Sequence, residues 1–486
     1  MERKEITAAE LMYLCYFAVM FGARAVGLFE GMTVYNISLV IGMLLFAGKV
    51  LMSGHTLLEY IVAGGLLLIS LIVYYNTGEK GLLLYFTMML GLKGVSTRRV
   101  FKLGTVILSV SFSVLVFLSV TGLRQDIIYV HDRVGFGRII RHSLGYPYPN
   151  TLFTTYIVLM VLIFYMLGKQ SKRNLLLTTL LLFLGSIYIY LYSCSNTGLI
   201  VSVFYLLVNL YLQLGGGMSK FEKAGFCLIY PCCLLFSILG PLVTKGGLFS
   251  LLDRVLHNRW AYSLYYLTNE PVTLLGTRFK EAPNTNYMID SSFLYSFLQL
   301  GLIPFVILTV LYLCTIRDLV KREKKTELAI IAGFCVLGLS DPFFFNLSYK
   351  NLMFLFVGEY YYRRMERYAE GKPALLNRKL QPLPIGNKMI SYDTELVRRC
   401  GIGFEEIRKV ISGNGILLTI TFLVCTAAVS IILYGVTQSG YIVGRIDDVE
   451  EWEYARKVLS AGMLAGILAA AGLVGARLRR KKHKGV

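Results

Sequence analysis

The chain has 486 residues, of which 56% are hydrophobic and only 16% are charged, and its mean hydropathy is +0.61. This balance excludes a water-soluble globular protein and predicts an all-α, polytopic integral membrane protein. The net charge of +20 could indicate a nucleic-acid partner, but the basic residues collect in loops between apolar runs, which argues against nucleic acid.

The apolar runs are long enough to cross roughly 30 Å of hydrocarbon and predict about fourteen transmembrane helices. In chain order they cover residues 7–22, 33–53, 57–75, 81–95, 103–121, 150–168, 174–193, 196–214, 224–243, 292–316, 327–345, 347–362, 414–437 and 458–476. Residues 1–365 then form a membrane-embedded core, to which residues 414–486 add a transmembrane hairpin and a basic tail.

The basic residues predict the orientation of the chain. They concentrate in alternate segments, at 92–102, 168–174, 219–223, 316–325, 363–409 and 477–486. Because short cytoplasmic loops are enriched in lysine and arginine, these segments and both termini are expected on the cytoplasmic side of the cell membrane. The opposite side then has two sizeable loops, 122–149 and 244–290, and a smaller one, 438–457.

The two large external loops are rich in arginine, which suits bidentate recognition of phosphate oxygens. They contain Arg124, Arg133, Arg138, Arg141, Arg254, Arg259 and Arg278, with His131, His142 and His257. A single external arginine often only extends to lipid headgroups, so a structural role for each stays open.

Residues 251–267 carry apolar positions at helical spacing and predict an amphipathic helix in the membrane interface. Arg254 and Arg259 would lie about 140° apart around that helix. They are therefore not expected to hold the same phosphate unless the helix ends between them.

The C-terminal quarter has its own pattern. Residues 366–413 predict a cytoplasmic linker with a short amphipathic helix. In the hairpin, Gly462 and Gly466 predict a close helix-packing face, toward either the core or a second copy. The acidic run 447–453 lacks the spacing of a metal site and predicts a solvated helix start instead. No role is assigned to the hairpin.

Several segments, in this order, resemble the polysaccharide polymerases of the Wzy type and the related O-antigen ligases, above all the capsule and exopolysaccharide polymerases of Gram-positive bacteria. The resemblance covers about residues 1–365. It rests on RHSLGYPYPN (141–150), YSCSNTG (192–198), DRVLHNRWAYSLYYLTNEPVTLLGTRF (253–279), IDSSFLYSFLQLGLIP (289–304) and LSDPFFFNLSYKN (339–351).

This resemblance implies a twelve-helix, GT-C-like core that works as a glycosyltransferase on lipid-linked sugars. The donor would be a glycan on undecaprenyl diphosphate and the acceptor a lipid-linked repeat unit, with a chain-length regulator and a flippase as further partners. A prenyl diphosphate is already a good leaving group that needs mainly charge stabilisation, so no metal and no cofactor are expected.

The resemblance also implies site residues. Arg141, Arg254, Arg259 and Arg278 would bind the diphosphate, with Asn150 as a further contact. The histidine of the family motif is replaced by Tyr148, so the candidates for the base are His142, Asp290 and Asp341. Plainer alternatives stay open: a solvated loop histidine for His142, a helix cap for Asp341 and a rigid turn for Asn150.

Two other functions remain alternatives. A ligase that moves finished glycan to another acceptor would share the fold and the arginines. A transporter or flippase of lipid-linked sugar is the non-enzymatic alternative, and the scarcity of charged residues inside the apolar runs argues against it.

Overall fold

A computed structural model describes residues 5–133, 137–256, 258–280, 282–283, 287–346, 350–369, 373–391, 395–438 and 451–483. About 76% of the chain is helical. The helices are α1 (Ala8–Ala25), α2 (Thr33–Met52), α3 (Leu57–Thr77), α4 (Gly81–Leu90), α5 (Thr97–Val120), α6 (Pro149–Leu167), α7 (Lys172–Ser193), α8 (Asn196–Leu214), α9 (Lys220–Ile238), α10 (Gly240–Val243), α11 (Gly246–Val255), α12 (Arg259–Asn269), α13 (Ser292–Leu298), α14 (Leu302–Lys321), α15 (Lys325–Leu337), α16 (Phe343–Asn346), α17 (Met353–Ala369), α18 (Ala374–Asn377), α19 (Glu395–Gln438) and α20 (Glu451–His483).

Among the residues that the structure describes, six short strands form three antiparallel pairs. They are β1 (Glu5–Thr7), β2 (His55–Thr56), β3 (Ile128–Arg133), β4 (Gly137–His142), β5 (Lys379–Leu380) and β6 (Met389–Ser391). β1 pairs with β6, β2 with β5, and β3 with β4. The first large loop therefore contains a β-hairpin within an otherwise helical fold.

Eleven helices in the described part of the chain are long and apolar enough to cross a membrane: α1, α2, α3, α5, α6, α7, α8, α9, α14 and the apolar parts of α19 and α20. Large apolar side chains cover the outside of this bundle; Leu44 on α2 is 69% exposed and Leu68 on α3 is 58% exposed. Such a surface is stable against lipid tails and not against water. The prediction of a helical, multi-pass membrane protein is confirmed.

The count of fourteen spans is not confirmed. The run at 81–95 yields only α4, ten residues long and almost entirely buried, and the run at 327–345 yields the thirteen residues of α15. Apolar helices of this length can be stabilised inside a bundle without crossing the membrane. The run at 347–362 becomes α17, whose second half is charged.

The predicted span at 292–316 is broken into α13 and α14 at Gly301, which has φ +91°. A Cβ at Gly301 would lie 2.3 Å from the backbone nitrogen of Gly276. The loop 244–290 packs against this break, where Leu302 N–H donates to the carbonyl oxygen of Thr273 at 2.8 Å. A glycine is required because both the positive φ and the close backbone approach exclude a side chain.

The most buried of these helices is α6, with 67% of its apolar stretch inside the protein. It packs against α5, α7, α8 and α15. Its first turn begins at Pro149, where the missing N–H of proline costs no helical hydrogen bond. The N-terminal turns of α6 thus point from the centre of the bundle toward the loops 122–149 and 244–290; we call this the loop end.

The basic segments gather at the opposite end, which we call the linker end because residues 379–391 fold onto it through β5 and β6. Arg99 pairs there with Glu10 and Lys93 with Glu59. This grouping agrees with the predicted alternation of the loops. Which end faces the cytoplasm stays a prediction.

The C-terminal hairpin differs from the sequence prediction in two respects. α19 begins inside the predicted linker 366–413 and is continuous with the span, apart from a kink at Asn414 (φ −122°, ψ 16°). Gly462 and Gly466 face α19, since a Cβ on them would lie 2.1 Å from Ser430 Oγ and 2.4 Å from Thr426 Oγ1, respectively. The predicted packing face therefore joins α20 to α19, the two helices of the hairpin.

Candidate functional site

Arg141 lies at the first turn of α6. Its Nη2 donates to Asn150 Oδ1 at 2.7 Å and its Nε donates to the carbonyl oxygen of Ser193 at 2.8 Å. Asn150 Oδ1 also accepts from Ser195 Oγ at 3.0 Å. The quoted segment 192–198 makes a tight turn between α7 and α8, with Cys194 in the left-handed region. Two predicted site residues, Arg141 and Asn150, are therefore in direct contact.

His142 has a partner at each ring nitrogen. Its Nδ1 is 2.8 Å from Asp126 Oδ2, and Nη2 of Arg456 is 3.0 Å from its Nε2. Because arginine only donates, Nε2 accepts in this contact, and Nδ1 donates to Asp126. To act as a base at Nε2, His142 would have to lose Arg456. Its catalytic role stays a prediction that this geometry does not favour.

Asp290 and Arg259 form an ion pair, with 3.0 Å between Arg259 Nε and Asp290 Oδ2. Arg259 begins α12, and its Nη1 donates to the carbonyl oxygen of Leu256 at 3.1 Å. Burial raises the pKa of Asp290, and the nearby guanidinium offsets part of that rise. The charge of Arg259, a predicted phosphate ligand, is thus neutralised in part by Asp290, a predicted base.

Asp341 lies in the turn between α15 and α16. Its Oδ2 accepts from Thr154 Oγ1 of α6 at 3.3 Å, and its backbone oxygen accepts from Ser292 Oγ at 2.7 Å. Burial, and secondly the Asp290 carboxylate, raise the pKa of Asp341 to about 7. The two candidate carboxylates are therefore close enough to influence each other. Asp341 also contacts α6 through Thr154, and the alternative of a local helix cap stays open.

A buried lysine adjoins this group, and the sequence prediction did not include it. Lys350 is 1% exposed; its Nζ contacts Thr155 Oγ1 of α6 and lies 5.0 Å from the centroid of the Tyr146 ring. Its charge lowers the pKa of Asp341. The signal in the sequence was a cation inside an apolar stretch, which is costly unless it has a partner or a ligand.

Arg24 is the second cation that the sequence prediction left out. It follows the first apolar run, its Cζ lies 4.7 Å from the centroid of the Tyr35 ring, and its charge acts on Lys350. Lys350 and Arg259 thus lie near Asp341, Arg259 also pairs with Asp290, and Arg24 joins the group through Lys350. We call these five residues the charged cluster; it contains three cations and two carboxylates.

Arg254 and Arg278 are not part of the charged cluster. Both side chains are exposed, and neither forms an ion pair with any residue that the structure describes. Arg254 belongs to α11, none of whose residues is buried. The predicted helix over 251–267 is in fact two helices, because Asn258 adopts φ +65° between α11 and α12. The break lies between Arg254 and Arg259, the one condition under which both could approach one phosphate.

Several predicted residues lie outside this description. Residues 134–136, residue 257 and residues 439–450 are not among the described residues, nor are the side chains of His131, Arg133 and Arg138. Within the described ranges, no group of three or more histidine, cysteine, aspartate or glutamate side chains is arranged to hold a metal ion.

No protein family, curated protein or solved structure matches the chain. The resemblance to Wzy-type polymerases therefore stays a prediction from the five quoted segments.

Proposed function

We propose that this protein is a membrane glycosyltransferase that polymerises undecaprenyl-diphosphate-linked repeat units into capsular polysaccharide or exopolysaccharide. The observation that carries the proposal is the position of Asp341. It combines a pKa of about 7 with a neighbouring carboxylate–arginine pair and a buried lysine, at the loop end of a lipid-facing bundle. Groups with such shifted pKa values are concentrated at sites of proton transfer.

The diphosphate of the donor would bind where positive charge converges. Arg141 stands at the N-terminal turn of α6, whose dipole favours anions, and its planar guanidinium suits a phosphate. Arg259 supplies further positive charge beside the carboxylates, and so does the protonated form of Lys350, whose pKa burial lowers to about 7. Arg254 and Arg278, both exposed, would contact the donor only at the rim.

Asp341 would act as the base. Its carboxylate takes the proton of the acceptor hydroxyl, whose oxygen bonds to the anomeric carbon of the donor glycan. The bond between that carbon and the diphosphate oxygen breaks, and its electron pair leaves with undecaprenyl diphosphate. A base with a pKa near 7 combines a useful unprotonated fraction with proton affinity. The cations stabilise the charge that develops on the leaving group.

The test is product length in proteoliposomes that contain the purified protein and a lipid-diphosphate-linked repeat unit, with EDTA and without nucleotide sugar. A ladder of longer lipid-linked glycans is expected from the natural chain and not from Asp341→Asn. Asp318→Asn is the matched control, since Asp318 pairs with Arg363 at the linker end. A protein that yields no ladder, while transferring intact glycan to an added acceptor, would be a ligase.

Transport of lipid-linked sugar is the second candidate, and two observations favour it. Lys350 is buried in the bundle, and the span at 292–316 is broken at Gly301. Buried ionisable groups and broken helices are common along transport paths. Movement of the lipid-linked sugar across the bilayer, without any new linkage, would establish this function in the same proteoliposomes.

A further inference from the structure

Two buried side chains of the C-terminal hairpin hold the strand that carries Arg141. Glu453 and Arg456 are each 3% exposed and pair with each other on α20. Ile140 N–H donates to Glu453 Oε1 at 3.3 Å, and Arg456 Nη1 donates to the carbonyl oxygen of Ile140 at 2.6 Å. Both backbone polar groups of this β4 residue are thus satisfied by α20. The predicted solvated helix start is wrong for Glu453.

α20 also contacts the side chain of His142, two residues after Ile140 in β4. Arg456 Nη2 donates to His142, whose ring lies edge-on to Tyr192 at 5.8 Å. Tyr192 in turn donates to Ser460 Oγ of α20 at 3.2 Å. Because side chains alternate along a strand, turning His142 toward α20 directs Arg141 to the opposite face, where Asn150 and the Ser193 carbonyl receive it.

We propose that Glu453 and Arg456 are positioning residues that set Arg141 at the N-terminus of α6. A two-stranded hairpin such as β3–β4 is only marginally stable alone, so an outside contact decides where its side chains lie. Buried charged hydrogen bonds are strong enough to serve as that contact. That Arg141 then binds the donor diphosphate rests on the proposed function.

The test measures the position of Arg141 without requiring any activity. Full-length variants in nanodiscs are treated with phenylglyoxal, and modification of each arginine is quantified by mass spectrometry. Hydrogen exchange of peptides covering 137–142 is followed in parallel. Arg456→Ala is expected to raise both rates by about tenfold, the factor for loss of a charged hydrogen bond. The exposed Lys457→Gln, on the same helix, is the control and should change neither.

Two further variants separate positioning from general loss of structure. Arg456→Lys keeps one donor and should recover part of the protection, and Glu453→Gln keeps an acceptor for the Ile140 amide. The exposed Arg254 should react equally in all variants. Unchanged modification of Arg141 in Arg456→Ala would overturn the proposal, as would an equal rise at Arg99, whose pairing with Glu10 at the linker end would be lost only on general unfolding.

Polymer assays then distinguish this proposal from the proposed function. If Arg456 acts through Arg141, Arg456→Ala should raise the donor KM, and it should have no further effect when Arg141→Ala is already present. Additive losses would overturn the link to Arg141. If the natural chain makes no polymer, but Arg456→Ala shows the expected rise in modification of Arg141, the proposed function is refuted and the positioning role stays supported.

Discussion

Thr154 of α6 donates its hydroxyl hydrogen to a carboxylate oxygen of Asp341, 3.3 Å away. This contact joins the most buried membrane helix to the turn after α15, and it opposes the rise that burial causes in the pKa of Asp341. The protonation state of Asp341 is therefore tied to the packing of α6, and several expected outcomes depend on it.

The first prediction is a dependence of the polymerisation rate on pH. A base works in its unprotonated form, so with a pKa of about 7 the rate should rise with pH, about tenfold between pH 6 and pH 8. The measurement is initial rate across that range in proteoliposomes. A rate that falls over this interval would argue that the group acts as an acid.

The second prediction concerns Thr154→Val, which keeps the shape of the side chain and removes the donor. Because the hydrogen bond lowers the pKa of Asp341, its loss should move the midpoint of the pH profile to higher pH. Thr105→Val is a matched control, since the Thr105 hydroxyl donates to the carbonyl oxygen of Phe101 in its own helix, α5. An equal displacement in both variants would contradict the role of Thr154.

The third prediction concerns the buried lysine. The protonated form of Lys350, whose pKa burial lowers to about 7, lowers the pKa of Asp341. Lys350→Met removes that charge, so the midpoint of the pH profile should again move to higher pH. Lys49→Met is the control, because Lys49 is 2% exposed and bonds the carbonyl oxygen of Lys93 at the linker end. Both variants are expected to lose stability, but only the first should displace the profile.

The fourth prediction compares arginines. Lysine cannot reproduce the two contacts of Arg141, to Ser193 and Asn150, so Arg141→Lys should lower the polymerisation rate by about tenfold or more. Arg254→Lys, at an exposed position of α11, should change it little. Product amounts at limiting donor are the readout, and equal yields from both variants would remove the diphosphate role of Arg141.

The fifth prediction tests the break between α13 and α14. Gly301→Ala forces a side chain into a positive φ and against the backbone of Gly276, and should destabilise the protein by about 1–3 kcal/mol. Gly64→Ala is the control, since nothing lies within 4 Å of its added Cβ and it sits inside α3. When thermal unfolding is measured in nanodiscs, only Gly301→Ala should show a lower midpoint temperature.

Much of the fold was predictable because hydrophobic length is a direct signal of a membrane helix. The count failed where an apolar run was buried within the bundle, as for α4, since composition does not distinguish lipid from protein as surroundings. The β3–β4 hairpin was missed because its stability depends on α20, more than three hundred residues later.

The candidate site was predictable only in its individual residues. Arg141 and Asn150 were named from one segment and are in contact, and Asp290 and Asp341 interact electrostatically. Lys350 was overlooked although it stands in a quoted segment, because a lone lysine near the end of an apolar run resembles one that extends to the membrane surface. The partners of His142 come from separate parts of the chain, and no local pattern announces them.

The pairing of β1 with β6 has a consequence for biosynthesis. Glu5 is opposite Ser391, so the first strand stays unpaired until most of the chain has been made. Likewise, the backbone N–H of Ile140 in β4 has its acceptor only after Glu453 has been made. Helices that enter the membrane in chain order therefore leave the linker end incomplete until β6 has been made and the loop end incomplete until α20 has been made, so assembly finishes late and from the C-terminus.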